Sequence, residues 1–190
     1  NVELAELQGD VRFQGKDLTR IADAELRALR RHGGFSMIFQ DPLGYLNPTK
    51  RVGTQVAEAL GGKWFAATRR RVEQLLEEAG LPASAQLARR FPHELSGGQR
   101  QRVMIAIALA SEPALLFADE PTTALDATVQ LQVLKTLGRL HRDRNMAMVV
   151  ITHDLGVVAE LCDRVYVMRS GKVVESGDTV ELFENPRHPY

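Results

Sequence analysis

Two adjacent carboxylates, Asp119 and Glu120, follow an apolar run over residues 114–118. The run predicts a short buried strand, and open parallel sheets bind ligands at the carboxyl ends of their strands. Adjacent strand residues point to opposite sides, so the two acids cannot share one task. In a nucleotide site, Asp119 would hold Mg²⁺ while Glu120 polarises the attacking water. The alternative is a solvated acidic pair that caps the next helix.

Residues 95–99 form a Leu-Ser-Gly-Gly-Gln segment at the start of a predicted buried helix. Gly97 and Gly98 permit close approach of the backbone, Ser96 supplies a hydroxyl, and the first amides of a helix favour an anion. The simpler interpretation is a glycine-rich turn in which Ser96 is an ordinary N-cap. Five fixed residue types in a row are improbable by chance in a chain of this length, which favours a functional segment that ends at Gln99.

Gln40 and His153 also follow predicted strands, over residues 36–39 and 148–152. Taken singly, Gln40 could be a surface loop residue and His153 a structural histidine. Together with the acidic pair they place four polar groups at strand ends on one edge of a sheet. Separate structural roles do not explain this constellation, so it predicts a single site.

The elements needed to position these groups follow from hydrophobic periodicity. The predicted helices are residues 23–31, 68–80, 103–110 and about 127–144. The predicted strands are residues 35–39, 114–118 and 147–152, an exposed strand and turn within 9–18, and a hairpin of 165–168 with 172–175. The helix at 103–110 is apolar on nearly every side and should lie in the middle of the fold. The strand, helix, strand order over 114–152 predicts a parallel sheet with buried strands, and residues 46–92 form a helical insertion.

Composition narrows the classes of partner. The 190 residues suit one domain, and 24 Lys plus Arg balance 24 Asp plus Glu, which gives no reason to expect nucleic acid or an anionic membrane surface. Cys162 is the only cysteine, so the chain cannot form an internal disulfide or a thiolate metal site, and a reducing cytoplasm fits. No run reaches the roughly 20 apolar residues of a spanning helix.

Five segments, in this order and spacing, resemble the ATP-binding cassette (ABC) family over essentially the whole chain. Residues 40–42 resemble its Q-loop, 95–99 its signature motif, 115–120 its Walker B strand, 124–126 its D-loop and 152–154 its switch-histidine segment. The resemblance implies an α/β fold of the P-loop NTPase type, with a mainly parallel sheet and an α-helical subdomain. It also implies ATP and Mg²⁺ as cofactors.

The resemblance assigns roles to the residues of the acidic site. It implies that Glu120 is the general base, that His153 contacts the γ-phosphate, and that Gln40 reaches both the attacking water and Mg²⁺ beside Asp119.

The same resemblance assigns a second set of residues to a dimer interface. Ser96, Gly97, Gly98 and Gln99 would close over ATP bound by a second ABC ATPase subunit, identical or paralogous, and Asp126 would communicate across that interface. Transmembrane permease subunits and, indirectly, an extracytoplasmic solute-binding protein complete the expected partners, with the chain at the cytoplasmic face of the membrane.

Three segments of the sequence resemble the dipeptide, oligopeptide and nickel importers within this family. They are residues 37–42 with 46–48, residues 100–106, and residues 184–190. This similarity implies an ATPase that energises import of peptides or a related small solute. Two alternatives stay open. One is an accessory ATPase of a soluble phosphonate-breakdown complex, which shares much of this motif sequence, and the other is a non-catalytic interaction fragment. The DNA-repair ATPases would need long heptad arms or zinc cysteines, which the sequence lacks.

One family motif is missing from the 190 residues: no Gly-x-x-x-x-Gly-Lys-Ser/Thr run occurs. The start at Asn1, without an initiator Met, leads us to expect a cut or partial chain rather than a natural remnant, with the first sheet strands also missing. These residues alone are then expected to bind ATP weakly and hydrolyse it poorly. We expect a core of residues 1–48 and 95–177, a helical subdomain of about 49–94, and the start of a C-terminal extension at 178–190.

Overall fold

A computed structural model describes residues 9–62, 66–123 and 125–190. The start of the expected core, part of the helical insertion and the first D-loop residue, Ala124, therefore lie outside the described residues. The helices are α1 (Asp23–Arg31), α2 (Pro42–Tyr45), α3 (Val52–Ala59), α4 (Ala66–Glu78), α5 (Ser84–Leu87), α6 (Gly97–Leu109), α7 (Ala127–Arg144), α8 (Leu155–Leu161) and α9 (Thr179–Glu184). The strands are β1 (Arg12–Phe13), β2 (Lys16–Asp17), β3 (Phe35–Ile38), β4 (Leu115–Asp119), β5 (Ala147–Ile151), β6 (Arg164–Arg169) and β7 (Lys172–Asp178).

The site is built on a parallel sheet in the order β3-β4-β5. Phe35 pairs with Leu115, and Leu115 pairs with Ala147, so the three strands run in step. Helix α7 connects β4 to β5, which confirms the predicted strand, helix, strand unit. All three strands therefore end at one edge of the sheet.

One face of this sheet is buried and the other is open among the described residues. The buried face includes Ile38, Leu116 and Ala118, each with no exposed surface. The opposite face carries Val149 and Ile151, whose exposed fractions are 43% and 49%. The prediction that β5 is a buried strand is therefore wrong. β5 is the edge strand of the described sheet, and only one of its two faces is covered even though both faces carry apolar residues.

Helix α6 forms the centre of the core, as its all-round apolar sequence predicts. Val103, Ile105 and Leu109 are fully buried, and the helix packs against α3, α4, α7 and β3. It begins at Gly97, six residues before the predicted start, because the glycines and polar residues that precede Val103 form its first turns.

The helical insertion is attached to this core at the C-terminal end of α4. The Arg102 guanidinium of α6 donates to the Gly80 carbonyl at 2.9 Å, and that of Arg139 in α7 donates to the Glu78 carbonyl at 2.6 Å. Cations suit the carbonyl end of a helix, where the last backbone acceptors lack partners. The insertion also contains α3 and α5, which periodicity did not identify.

Beyond the sheet, β6 and β7 form the predicted antiparallel hairpin. Its two turn residues, Ser170 and Gly171, both have positive φ, 50° and 75°, the backbone sign that a tight hairpin with right-handed strand twist requires. The small pair of β1 and β2 realises the strand and turn predicted within residues 9–18. Across the part of the chain that the structure describes, no helix combines the length and apolar character needed to cross a membrane.

Candidate functional site

The Glu120 carboxylate lies just beyond the end of β4 and accepts hydrogen bonds from two flanking segments and from its own loop. Gln40, beyond β3, donates through Nε2 to Oε2 at 2.8 Å. The Thr123 hydroxyl donates to the same oxygen at 2.8 Å. His153, beyond β5, places Nδ1 3.1 Å from Oε1, where the protonated ring nitrogen donates. The structure thus brings together three of the four polar residues predicted at this edge.

The backbone explains why Glu120 and Asp119 separate. Asp119 is the last residue of β4 and still pairs with Ile151. Glu120 has φ +45°, yet its N–H donates to the Ile151 carbonyl at 2.8 Å. A left-handed backbone costs a residue with a Cβ about 1–2 kcal/mol. Such strain is typical of functional sites, and here it turns the Glu120 side chain toward Gln40 and His153.

Hydrogen bonding lowers the pKa of this carboxylate. The Thr123 hydroxyl, then the His153 ring and finally the Gln40 amide hold the pKa of Glu120 below its ordinary value. The Glu120 side chain is 24% exposed, whereas that of His153 is 79% exposed. Glu120 is therefore an ionised, partly covered acceptor at neutral pH, while the histidine ring remains open to a ligand.

Asp119 is left open by this arrangement. Among the described residues its carboxylate accepts no hydrogen bond, and the side chain is only partly buried. A free carboxylate suits Mg²⁺, which takes one or two protein carboxylates and completes its octahedron with water and phosphate. Within the described ranges no cluster of three His, Cys, Asp or Glu side chains could hold a metal alone. The open carboxylate of Asp119 fits the role of a magnesium ligand.

The segment after Gln40 is held firmly against the helical insertion. Asp41 caps α2 by accepting from the Leu43 amide at 2.9 Å. Gln55 of α3, 8% exposed, accepts from the Asn47 amide at 2.8 Å and donates to the Asn47 and Lys50 carbonyls at 3.0 Å. This buried amide makes three backbone contacts, which connect the loop beyond Gln40 to α3.

The Ser-Gly-Gly-Gln segment forms the start of α6. The Ser96 hydroxyl accepts from the backbone N–H of Gln99 at 3.3 Å, and the Gln99 side-chain oxygen accepts from the backbone N–H of Ser96 at 3.0 Å. This reciprocal capping box satisfies two backbone donors. Ser96 is thus the N-cap that the simpler interpretation predicted.

Position 98 requires a glycine because a side chain there would collide with helix α7. A Cβ at this position would lie 2.2 Å from Cγ1 of Val129 in α7, whereas at Gly97 the nearest atom would be 3.6 Å away. The first turns of α6 and α7 are therefore in contact at Gly98. Asp126 caps α7 by accepting from the Val129 amide at 3.0 Å.

The structure does not join these helix starts to the acidic cluster by direct bonds. The described hydrogen bonds of Ser96, Gln99 and Asp126 are local and do not include Glu120. The ends of three strands, β3, β4 and β5, contribute residues to the acidic cluster. Two different groups of residues result: the acidic cluster around Glu120 and the α6–α7 start around Gly98.

Sequence reasoning missed Thr123, although its hydroxyl contacts Glu120 as closely as the Gln40 amide does. The available signal was its position in the short loop between β4 and α7, three residues beyond the acidic pair. Hydroxyl residues in such loops are common, so the position alone did not distinguish it from a turn residue.

This chain is similar to known proteins in sequence and in fold. The family model described as ABC transporter matches residues 2–123. The oligopeptide transport ATP-binding protein OppD of Bacillus subtilis (strain 168) is 47% identical over 186 residues, which cover 96% of this chain and 52% of that protein. The dipeptide transport ATP-binding protein DppD of Escherichia coli (strain K12) is 49% identical over 182 residues, 94% of this chain and 55% of that protein. The chain spans about half the length of the curated relatives it matches.

Solved structures show the same fold. The ATP-binding cassette MJ0796, in a dimeric post-hydrolysis state bound to ADP and Pi, superimposes with a TM-score of 0.78 at 30% identity, covering 90% of this chain and 74% of that one. The cbiO1 protein of Clostridium perfringens, part of the ABC transporter complex cbiONQ, gives 0.81 at 29% identity, covering 94% and 69%. The family match over residues 2–123 and the shared cassette fold lead to one conclusion: this chain belongs to the ABC transporter family.

Proposed function

We propose that this chain is part of an ATP-hydrolysing subunit that energises the import of peptides or a related small solute. The observation that carries the proposal is the Glu120 carboxylate, held at a sheet edge by Gln40, Thr123 and His153. Family membership and the names of the matched oligopeptide and dipeptide transport proteins support the cargo class. The activity is proposed for the whole encoded protein.

Glu120 would act on the water that attacks the γ-phosphate. As the water oxygen bonds to the γ-phosphorus, the bond to the bridging oxygen breaks, leaving ADP and phosphate, and Glu120 accepts the water proton. Glu120 is present at neutral pH as the carboxylate, which is the form that can accept this proton. With Nδ1–H directed at Glu120, His153 would donate to a γ-phosphate oxygen through Nε2–H as the imidazolium, in which both ring nitrogens carry a hydrogen.

Asp119 and Gln40 would hold Mg²⁺. Asp119 offers a carboxylate, and Gln40 offers its amide oxygen because its Nε2 is already bonded to Glu120. The ion would neutralise charge on the β- and γ-phosphate oxygens. No glycine-rich Lys-Ser/Thr phosphate loop occurs in these 190 residues, so the proposed hydrolysis requires that such a loop accompanies them in the working protein.

Ser96, Gly97, Gly98 and Gln99 would contact ATP held by a second ABC ATPase subunit, with Asp126 beside them. The support is positional: the segment opens the 13-residue helix α6, whose first amides favour a phosphate. Phosphoryl transfer needs mainly positioning and charge neutralisation, which two closing half-sites would provide.

Permease subunits in the membrane, and through them an extracytoplasmic solute-binding protein, would be the remaining partners. The chain would then lie at the cytoplasmic face of the membrane. The division into a core, a helical subdomain at about 49–94 and an extension from 178 also remains a proposal. Leu43 and Tyr45 lie beside the loop of Gln40 and are 56% and 59% exposed, which supports a contact between this loop and the permease subunits.

Purification of the whole encoded protein from its native membrane under mild detergent tests the proposal. A membrane permease that accompanies the protein, with ATP hydrolysis stimulated by a peptide-loaded binding protein, is the expected result. Recovery in a soluble complex with a lyase would instead favour the phosphonate-type alternative. Failure of the whole protein to bind ATP would favour a non-catalytic role.

A further inference from the structure

A side-chain hydrogen bond connects helix α7 to the loop of His153. The Gln130 amide in the first turns of α7 donates through Nε2 to Oδ2 of Asp154 at 2.8 Å. The other Asp154 oxygen accepts from the Gly156 amide at 2.8 Å and so caps α8. The Asp154 amide in turn donates to the Thr152 hydroxyl at 3.0 Å. Asp154 is thus fixed on both of its oxygens, directly beside His153.

The preceding residue of the same helical turn packs against the start of α6. Val129 precedes Gln130 and lies so close to Gly98 that no Cβ would fit between them. Two bonds to Asp126 fix this turn. The Asp126 side chain accepts from the backbone N–H of Val129, and the Asp126 carbonyl accepts from the backbone N–H of Gln130 at 2.8 Å. A displacement of the α6 start therefore acts on the turn that carries Gln130.

These contacts are continuous within one chain. They run from Gly98 to Val129, from Gln130 to Asp154, and from the neighbouring His153 to Glu120. Gln130 supplies the one side-chain hydrogen bond in this series between α7 and the histidine loop. Its amide is partly buried, which strengthens a bond that water would otherwise weaken.

We propose that Gln130 is a positioning residue. Through Asp154 it fixes the His153 loop relative to the first turns of α6 and α7, and thereby keeps the His153 ring hydrogen-bonded to Glu120. Gln130 touches none of the reacting groups itself. The inference rests on the proposed ATP hydrolysis for its kinetic consequence, whereas the position of the His153 ring can be measured without it.

Gln130→Ala in the whole encoded protein should lower kcat about three- to tenfold, the effect of one lost hydrogen bond, and leave the affinity for ATP unchanged. Gln130→Glu has almost the same shape but sets a second carboxylate against Asp154, so it should lower kcat further than Ala. Thr128→Ala, on an exposed position of the same turn, is the matched control and should be silent. In a double-mutant cycle, Gln130→Ala should add little to Asp154→Ala, because both remove the same contact.

Nitrogen-15 NMR of the His153 ring gives the readout that does not depend on hydrolysis. In Gln130→Ala and Gln130→Glu, the nitrogen-15 signal of Nδ1, which carries the proton bonded to Glu120, should shift or broaden, and in Thr128→Ala it should not. An unchanged ring signal in both folded Gln130 variants, or fully additive losses in the cycle, would overturn the inference. A changed ring signal in a protein that never hydrolyses ATP would support the positioning role and contradict the proposed function instead.

Discussion

The amide of Gln40 and the carboxylate of Glu120, 80 positions apart in the sequence, are joined by a hydrogen bond of 2.8 Å. This contact connects the loop that leads into the helical insertion to the residue proposed to activate water. A change in the position of that loop therefore alters the surroundings of Glu120 directly.

Replacement of Gln40 by Ala removes one donor from Glu120 and one proposed ligand from Mg²⁺. A single hydrogen bond of about 1 kcal/mol corresponds to a roughly fivefold loss of kcat, and loss of the metal contact would increase it. Steady-state hydrolysis by the whole protein at several Mg²⁺ concentrations measures both effects. Gln86→Ala, an exposed glutamine in α5, serves as the control. Equal activities of the two variants would refute the role of Gln40.

Thr123 makes the largest contribution to the lowered pKa of Glu120. Thr123→Val removes the hydroxyl and should raise that pKa toward its ordinary value, so that Glu120 is protonated at a higher pH. The acidic limb of the hydrolysis profile should move to higher pH, while Thr123→Ser, which keeps the donor, should leave it in place. A limb at the same pH in Thr123→Val would show that Glu120 does not control it.

The contact between Gly98 and Val129 predicts a difference between two neighbouring glycines. Gly98→Ala should destabilise the fold by about 1–3 kcal/mol through overpacking, and Gly97→Ala should be tolerated because its Cβ has ordinary space. Urea unfolding compares the two variants. Val129→Ala should restore much of the loss when combined with Gly98→Ala. Similar destabilisation by both glycine variants would show that packing against α7 is not the reason.

Glu175 predicts a pH dependence near the end of the chain. Its carboxylate accepts from the amides of Arg187 and His188 at 2.9 and 2.8 Å, and these bonds, the Arg187 amide first, lower its pKa from the ordinary value of 4.5. A lowered pKa means that the stabilisation is complete above 4.5 and is lost as the pH falls through the lower value.

The amide proton shifts of Arg187 and His188 in NMR spectra should therefore titrate below pH 4.5. In Glu175→Gln they should show no such titration. Amide shifts that change at or above the ordinary glutamate value would contradict the anchoring role of Glu175.

Much of the fold was predictable because periodicity reports burial directly. The bounds of α1 and α7 agree with prediction, since the apolar positions of α7 recur on one face and capping residues mark its ends. The convergence of Gln40, Glu120 and His153 was also predictable, because parallel strands bring their carboxyl ends to one edge.

Other features depend on three-dimensional neighbours and leave no local pattern. The exposure of Val149 and Ile151 depends on what covers the sheet, which an apolar run does not reveal. The bonds from Gln55 to residues 47 and 50, and from Gln130 to Asp154, depend on side-chain reach between separate elements. A polar residue in a helix has the same local sequence whether it faces water or such a partner.

We infer that Glu120 activates water for ATP hydrolysis, and Glu120→Gln in the whole encoded protein is the decisive test of this role. The amide side chain keeps the size of Glu120 but cannot accept the water proton. We predict that single-turnover hydrolysis falls at least about a hundredfold while ATP binding persists. Hydrolysis at close to the original rate by a variant that still binds ATP would contradict the account.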